Sequence, residues 1–103
     1  MTVVRLEPDQ TRAESDTISV AEGETKVISI YTDTDGVAVP AGVDMKLQRK
    51  NAADFWQDVY APELGHVVFT SMLLNVVVTA IGDYRVLRPD ITAEGVNVGV
   101  SED

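Results

Sequence analysis

The sequence predicts an all-β protein: a small antiparallel β-sandwich, Ig-like or jelly-roll-like, of seven to eight strands with an extended N-terminal arm. From residue 17 onwards apolar and polar residues tend to alternate, which is the period of a strand with one buried face. Turn-forming residues recur about every ten residues, a spacing typical of sandwiches. Such strands bury their apolar faces only when two layers stack, and 103 residues suffice for one such domain.

The beginning of the chain differs from the rest. Residues 1–16 are predicted to form a polar arm, followed by a single sandwich domain over residues 17–103. The apolar residues of the arm, Val3, Val4 and Leu6, are too few to bury one another. We expect this arm either to be mobile or to lie along a neighbouring surface as an added strand, so these three residues are candidates for partner binding.

A hairpin is predicted at the start of the sandwich domain. Residues 17–20 and 25–32 are rich in β-branched side chains, and the turn-type sequence of residues 21–24 separates them. Residues 33–36, with the sequence Asp-Thr-Asp-Gly, end the second strand. Alternating carboxylates of this kind can bind calcium, but the donors expected further along the loop are missing, so a plain turn is favoured.

The most regular strand spans residues 43–48. Val43, Met45 and Leu47 fall on one face and the intervening polar residues on the other. A second hairpin is predicted between this strand and residues 55–60, because the connection is short.

Four further strands are predicted in the second half of the chain. They cover residues 66–70, 73–79, 84–88 and 96–100. A helix competes over residues 70–80, which are almost continuously apolar. The three consecutive valines and the threonine after them disfavour it, since β-branched residues lose side-chain freedom in helices.

Composition excludes several classes of function. The chain has 17 acidic and 8 basic residues and a net charge of −9, so neither nucleic acid nor an anionic membrane is expected as a partner. It contains no cysteine, a single histidine and no glycine-rich phosphate loop, and we therefore expect no enzyme, no metal site and no cofactor. The lone His66 is interpreted as a residue at the start of a strand.

An aromatic cluster is the main candidate site. Asp54, Trp56, Asp58 and Tyr60 alternate along one strand and would share a face, where rings can stack on a sugar and carboxylates can accept its hydroxyl groups. In the alternative interpretation, Trp56 covers core surface and Tyr60 sits at a rim with its hydroxyl in water. Trp56 and Tyr60 are candidates for partner binding because aromatic residues are enriched at interfaces.

Two arginines lie close together near the end of the chain. Arg85 and Arg88 are predicted to stand on opposite faces of one strand. Arg85 is expected to pair with a carboxylate of its own domain or of a partner, and it completes the set of candidate partner-binding residues.

Several segments resemble small virion proteins of tailed bacteriophages. The similarity rests on VAEGETKV at residues 20–27, VPAGV at 39–43, LQRK at 47–50, GDYRVLRP at 82–89 and VGV at 98–100. Proteins of this kind are often encoded near the major capsid protein. The resemblance covers most of the chain from about residue 17.

This resemblance implies a structural role. The protein would be a capsid decoration (cement) or head-fibre protein, made in the cytoplasm of the host bacterium and located on the outer capsid surface of the virion. Its partner would be the major capsid protein or another virion protein, and it would act as a homo-oligomer, a trimer or a dimer. The net charge agrees with a place outside the shell, away from packaged DNA.

Two other functions remain open from the sequence. The first is a glycan-binding module of a phage tail or fibre that uses Trp56, Asp58 and Tyr60. The second is an enzyme inhibitor or another phage protein directed at the host.

Overall fold

The computed structural model describes residues 2–61 and 65–103, without the side chains of residues 60, 61, 65 and 66. Within these ranges the chain forms twelve β-strand segments, one short 3-10 helix and no α-helix. The strands are β1 (Val3–Asp9), β2 (Ala13–Glu14), β3 (Ile18–Val20), β4 (Lys26–Thr32), β5 (Met45–Lys50), β6 (Trp56–Asp58), β7 (Tyr60–Ala61), β8 (Gly65–His66), β9 (Val68–Phe69), β10 (Asn75–Val78), β11 (Gly82–Arg88) and β12 (Val98–Glu102), and the 3-10 helix is Thr92–Glu94. The predicted all-β class is confirmed. No helix in the described ranges is long and apolar enough to cross a membrane.

The strands form two antiparallel layers. One sheet has the order β1-β12-β4-β10. The other has β11 and β5 at its centre, with β2 and β3 both pairing to β11 and with β6 and β9 both pairing to β5. β2 and β3 lie one after the other along the same side of β11, and β6 and β9 do so along β5, so each of these pairs counts as one interrupted strand. Each layer then has four strands, and the predicted total of seven to eight strands is confirmed. Strands β7 and β8 form a separate small hairpin.

The pairing is nested along the chain. β1 pairs with β12, β3 with β11, β4 with β10, and β5 with β6 and β9, while β4 with β12 and β5 with β11 join the nested pairs into sheets. A long hairpin folded over in this way is the connectivity of a jelly roll. The topology is therefore jelly-roll-like, one of the two sandwich types that the sequence left open.

The core lies between the two layers. Its buried side chains are Ile18, Val20, Ile28, Ile30, Val39, Val43, Met45, Leu47, Phe69, Val78, Tyr84, Val86, Ile91, Val98 and Val100. Strand β5 follows the predicted alternation, since Met45 and Leu47 are buried while Lys46 is exposed. Residues 75–78 form a strand, so the rejection of a helix there is confirmed.

The predicted hairpin over residues 17–32 is wrong. Ile18 in β3 lies opposite Tyr84 in β11, whereas Ile28 in β4 lies opposite Val76 and Glu102 in the other sheet. The connection between β3 and β4 therefore crosses from one layer to the other. Both strands have apolar alternation because they face each other across the core, which local pattern cannot distinguish from pairing side by side. The predicted hairpin between β5 and β6 is confirmed.

The expectation of a separate arm over residues 1–16 is also corrected. Strand β1 runs antiparallel to β12, with Leu6 opposite Val100, and its register shifts twice along its length. Strand β2 then pairs with β11, with Glu14 opposite Leu87. This segment is neither free nor laid on a neighbouring molecule, because the backbone groups of its own C-terminal strand are available to pair with it.

Candidate functional site

The sheet with β11 and β5 at its centre carries, on its outer surface, a continuous group of cationic, aromatic and polar side chains. We call it the cation–aromatic face and define it by Lys46, Gln48, Lys50, Trp56, Asp58 and Arg85. These residues are neighbours because the ladder places Gln48 opposite both Arg85 and Asp58, and Lys50 opposite Trp56. All of them lie on the side of the sheet away from the core.

Trp56 lies at one end of this face beside two cations. The Arg85 guanidinium carbon is 4.6 Å from the ring centroid, and the Lys50 ammonium nitrogen is 5.4 Å from it. At these distances a cation is attracted to the ring, by about 0.5–1 kcal/mol at an exposed site. Trp56 is half-buried, so the ring is partly covered and partly available.

A hydrogen-bonded chain fixes the rest of the face. The Arg85 Nε donates to Gln48 Oε1 at 2.8 Å, and the Gln48 Nε2 donates to Asp58 Oδ1 at 3.0 Å. Lys46 Nζ is 3.4 Å from Asp58 Oδ2. Arg85 thus hydrogen-bonds the amide of Gln48, whereas the sequence predicts a carboxylate partner, and Asp58 orients that amide by accepting from its nitrogen.

The predicted face over residues 54–60 is only partly formed. Asp54 lies in the turn before β6 with a left-handed φ of 66°, so it does not extend the row that Trp56 and Asp58 share. Its turn is closed by Asn51, whose side-chain oxygen accepts from the amides of Ala53 and Phe55. The side chains of Tyr60 and His66 are outside the described part of the chain.

Arg88 is a structural residue between the layers. It is 2% exposed and donates to the carbonyl oxygens of Thr11, Glu7 and Val98 at 2.7, 2.9 and 2.7 Å. Burial lowers the pKa of Arg88 from its usual value, although the charge of Asp9 opposes this. Arg85 and Arg88 are on opposite faces of β11, as predicted.

A second buried charge lies at the end of β12. Glu102 is 1% exposed and receives the guanidinium of Arg5, and its Oε2 is 3.1 Å from Lys26 Nζ. Burial by itself raises the pKa of Glu102, but the hydrogen bonds and charges of Arg5 and Lys26 outweigh it and hold the pKa below its usual value. This carboxylate therefore ties β12 to its two neighbours in the same sheet, β1 and β4.

The predicted partner-binding residues do not form one surface. Trp56 and Arg85 meet on the six-stranded sheet. Val3 and Val4 lie on β1 at the edge of the other sheet and are 37% and 44% exposed, while Leu6 packs against the core. The structure thus brings Trp56 and Arg85 together and separates them from the three residues on β1, while the side chain of Tyr60 lies outside the described part of the chain.

An apolar edge also went unpredicted. Around β10 the side chains of Met72, Leu74, Val77 and Ile81 are 92%, 39%, 62% and 55% exposed. The signal in the sequence is that residues 67–82 contain no charged side chain. A strongly apolar run of this kind is typical of core, yet within it only Phe69 and Val78 are buried.

Two shallow grooves accompany these surfaces. One of about 400 Å³ lies beside the β5–β6 hairpin and includes Arg49, Gln57 and Val59. The other, of about 430 Å³, lies between β1 and β2 and includes Glu7 and Glu14. Within residues 2–61 and 65–103, no three histidine, cysteine or acidic side chains come together as metal ligands would.

The Asp-Thr-Asp-Gly segment forms a turn. The amide of Val37 donates to the carbonyl of Thr34 at 3.2 Å, and Gly36 takes a φ of 78° that favours glycine. Asp33 Oδ2 accepts a hydrogen bond from Asn97 at 3.1 Å. The carboxylate therefore ties this turn to the connection before β12.

No protein-family model, curated protein or solved structure matches this chain. Function must therefore be argued from the chain's own surfaces. Of these, the cation–aromatic face combines a tryptophan, an arginine and a rigid sheet.

Proposed function

We propose that the protein is a non-enzymatic virion structural protein of a tailed bacteriophage that decorates the outside of the capsid. It binds the major capsid protein or another virion protein through the cation–aromatic face. The observation that carries this proposal is the contact of 4.6 Å between the guanidinium of Arg85 and the half-buried ring of Trp56 on the outer side of the sheet. Tryptophan and arginine are the residues most often found at the energetic centre of protein interfaces.

The distribution of charge also supports the cation–aromatic face as the binding surface. The chain has a net charge of −9, yet Lys46, Lys50 and Arg85 all belong to this one face. A local positive area on an acidic protein favours docking to an acidic protein surface and orients the approach. The overall charge also favours a position on the outer surface of the virion, away from packaged DNA.

The arrangement of the side chains supports binding rather than catalysis. Gln48 accepts from Arg85 and donates to Asp58, so these polar groups are engaged with one another on an open sheet surface and do not line an enclosed cavity. Such a network holds Trp56 and Arg85 in place before a partner arrives, which reduces the entropy lost on binding. The jelly-roll-like topology adds a fold-level analogy only, since this architecture recurs in viral capsid proteins and in lectins.

Co-sedimentation with undecorated heads of the phage that encodes this chain tests the proposal. The native protein is expected to bind stoichiometrically and to raise the resistance of the heads to heat. Trp56→Ala and Arg85→Ala should each weaken binding by about tenfold or more, as at an interface centre. Phe55→Ala is the matched control, because Phe55 is 70% exposed on the neighbouring position and lies outside the cation–aromatic face.

Two results would contradict this assignment. Failure of the native protein to bind intact heads would exclude the decorating role. Full binding by Trp56→Ala would exclude the cation–aromatic face as the contact.

A glycan-binding module of a tail or fibre is the second candidate. Trp56 and Asp58 do share one face, which favours it, but Asp58 already accepts from Gln48 and lies beside Lys46. A sugar hydroxyl would have to compete with these contacts. A glycan array on which binding depends on Trp56, together with no binding to heads, would favour this second function.

A further inference from the structure

Strand β10 presents a backbone edge that no other strand of the described residues pairs with. It is the last strand of its sheet and pairs only with β4 among the described residues. The amide of Ile30 donates to the carbonyl of Leu74 at 3.0 Å, so these two residues form a hydrogen-bonded pair. In an antiparallel ladder such pairs alternate with pairs that share no hydrogen bond. The backbone groups of Val76 and Val78 therefore point towards β4, and those of Asn75 and Val77 point away from it.

The other edges of the sandwich are protected. Strand β1 contains Pro8 and charged residues, and its register shifts twice. On the other sheet the edge strands β2, β3, β6 and β9 have only two or three residues each. Bulges, prolines, charges and short length are the usual means of preventing strand addition, and β10, with the sequence Asn-Val-Val-Val, has none of the first three.

The distribution of charge favours a second copy of this chain as the occupant of this edge. A second copy of this chain also has a net charge of −9, so two copies repel each other over most of their surfaces. Residues 67–82 are free of charged side chains, and this is where two copies can approach at the lowest electrostatic cost. The exposed side chains of Met72, Val77 and Ile81 border the same edge and would widen the contact.

We propose that two copies of the protein pair through antiparallel β10 strands about a two-fold axis. The two four-stranded sheets then become one continuous sheet of eight strands. Within β10 only Asn75 and Val77 have outward backbone groups, so Asn75 of each copy must face Val77 of the other, with the two-fold axis at Val76. This dimer forms without any capsid and does not depend on the proposed function.

Sedimentation equilibrium of the purified protein from micromolar to millimolar concentration tests this pairing. The native chain is expected to be a reversible dimer. Val77→Lys places two like charges diagonally across the two-fold axis, each beside Asn75 of the other copy, and should raise the dissociation constant about tenfold or more. Val4→Lys is the matched control, since Val4 is an exposed valine on the β1 edge and the variant has the same net charge.

Charge reversal separates edge pairing from a folding defect. Val77→Glu alone should also be monomeric, whereas an equimolar mixture of Val77→Lys and Val77→Glu should recover a dimer through opposite charges across the axis. Hydrogen exchange of the Asn75 and Val77 amides should slow as the native protein is concentrated. A monomer at every concentration, a trimer, or a dimer that Val77→Lys leaves intact would overturn the pairing.

Discussion

The hydroxyl group of Tyr84 donates a hydrogen bond of 2.9 Å to the carbonyl oxygen of Ala80, four residues earlier. This bond spans the corner where the chain leaves β10 in one sheet and enters β11 in the other. Gly82 lies inside the corner with a φ of 152°, and a Cβ atom there would lie 2.7 Å from Arg49 Nε. The GDYR sequence, part of the resemblance to virion proteins, therefore has a structural role at this corner.

Removing this hydrogen bond should destabilise the fold. Tyr84 is 3% exposed, so Tyr84→Phe leaves the Ala80 carbonyl without its partner and is expected to cost about 1–2 kcal/mol. Urea denaturation measures the change. Tyr31→Phe is the control, because the Tyr31 hydroxyl forms no hydrogen bond with the described residues. Equal stability of the two variants would contradict the role of the corner.

Arg88 should be intolerant of even a conservative change. Arg88→Lys keeps the charge but cannot reproduce a planar fork that satisfies three carbonyl groups, so a loss of roughly 2–4 kcal/mol is expected. Arg12→Lys should change stability by less than about 0.5 kcal/mol, since the Arg12 side chain is 65% exposed. Thermal unfolding of both variants provides the comparison. A tolerated Arg88→Lys would show that its hydrogen bonds contribute little.

Glu102 should make stability depend on acid pH. Its pKa is lower in the folded protein than its usual value of 4.5, so the folded state binds fewer protons than the unfolded chain below about pH 4.5. The contribution of Glu102 is thus complete above this pH and is lost as the pH falls through the folded pKa. Glu102→Gln should flatten this part of the stability curve, and Glu22→Gln, at an exposed position, should not.

Gly99 should be required for the position of β1. A Cβ atom at this residue would lie 2.7 Å from the Leu6 carbonyl oxygen and 3.0 Å from Pro8 Cδ. Gly99→Ala must therefore displace the β1 backbone, at a cost of about 1–3 kcal/mol. Faster hydrogen exchange of β1 amides is the specific sign. Gly23→Ala is the control, because nothing lies within 4 Å of its Cβ position and any strain there is local.

The features of the fold that depend on residues close together in the sequence were predictable. The alternation of Met45 and Leu47 located β5 and its buried face, and the short connection to β6 predicted their hairpin. The apolar run before Gly82 was correctly taken as a strand because β-branched residues disfavour a helix.

Strand pairings and side-chain contacts between residues far apart in the sequence could not be predicted from the local pattern of apolar and polar residues. Leu6 pairs with Val100, and nothing near Leu6 in the sequence indicates that partner. Likewise, Trp56 and Arg85 were separate candidates until the pairing of β11 with β5 and β6 brought them together. The polar environment of Glu102 was also hidden, because Arg5 and Lys26 come from the opposite end of the chain.

The position of β12 between β1 and β4 determines when the molecule can fold. Residues 98–102 bridge strands that begin at residues 3 and 26, so this layer cannot assemble during synthesis until that stretch has left the ribosome. Loops of such length close slowly. Until then the apolar faces of the earlier strands stay exposed, and the high negative charge of the chain favours its solubility during this interval.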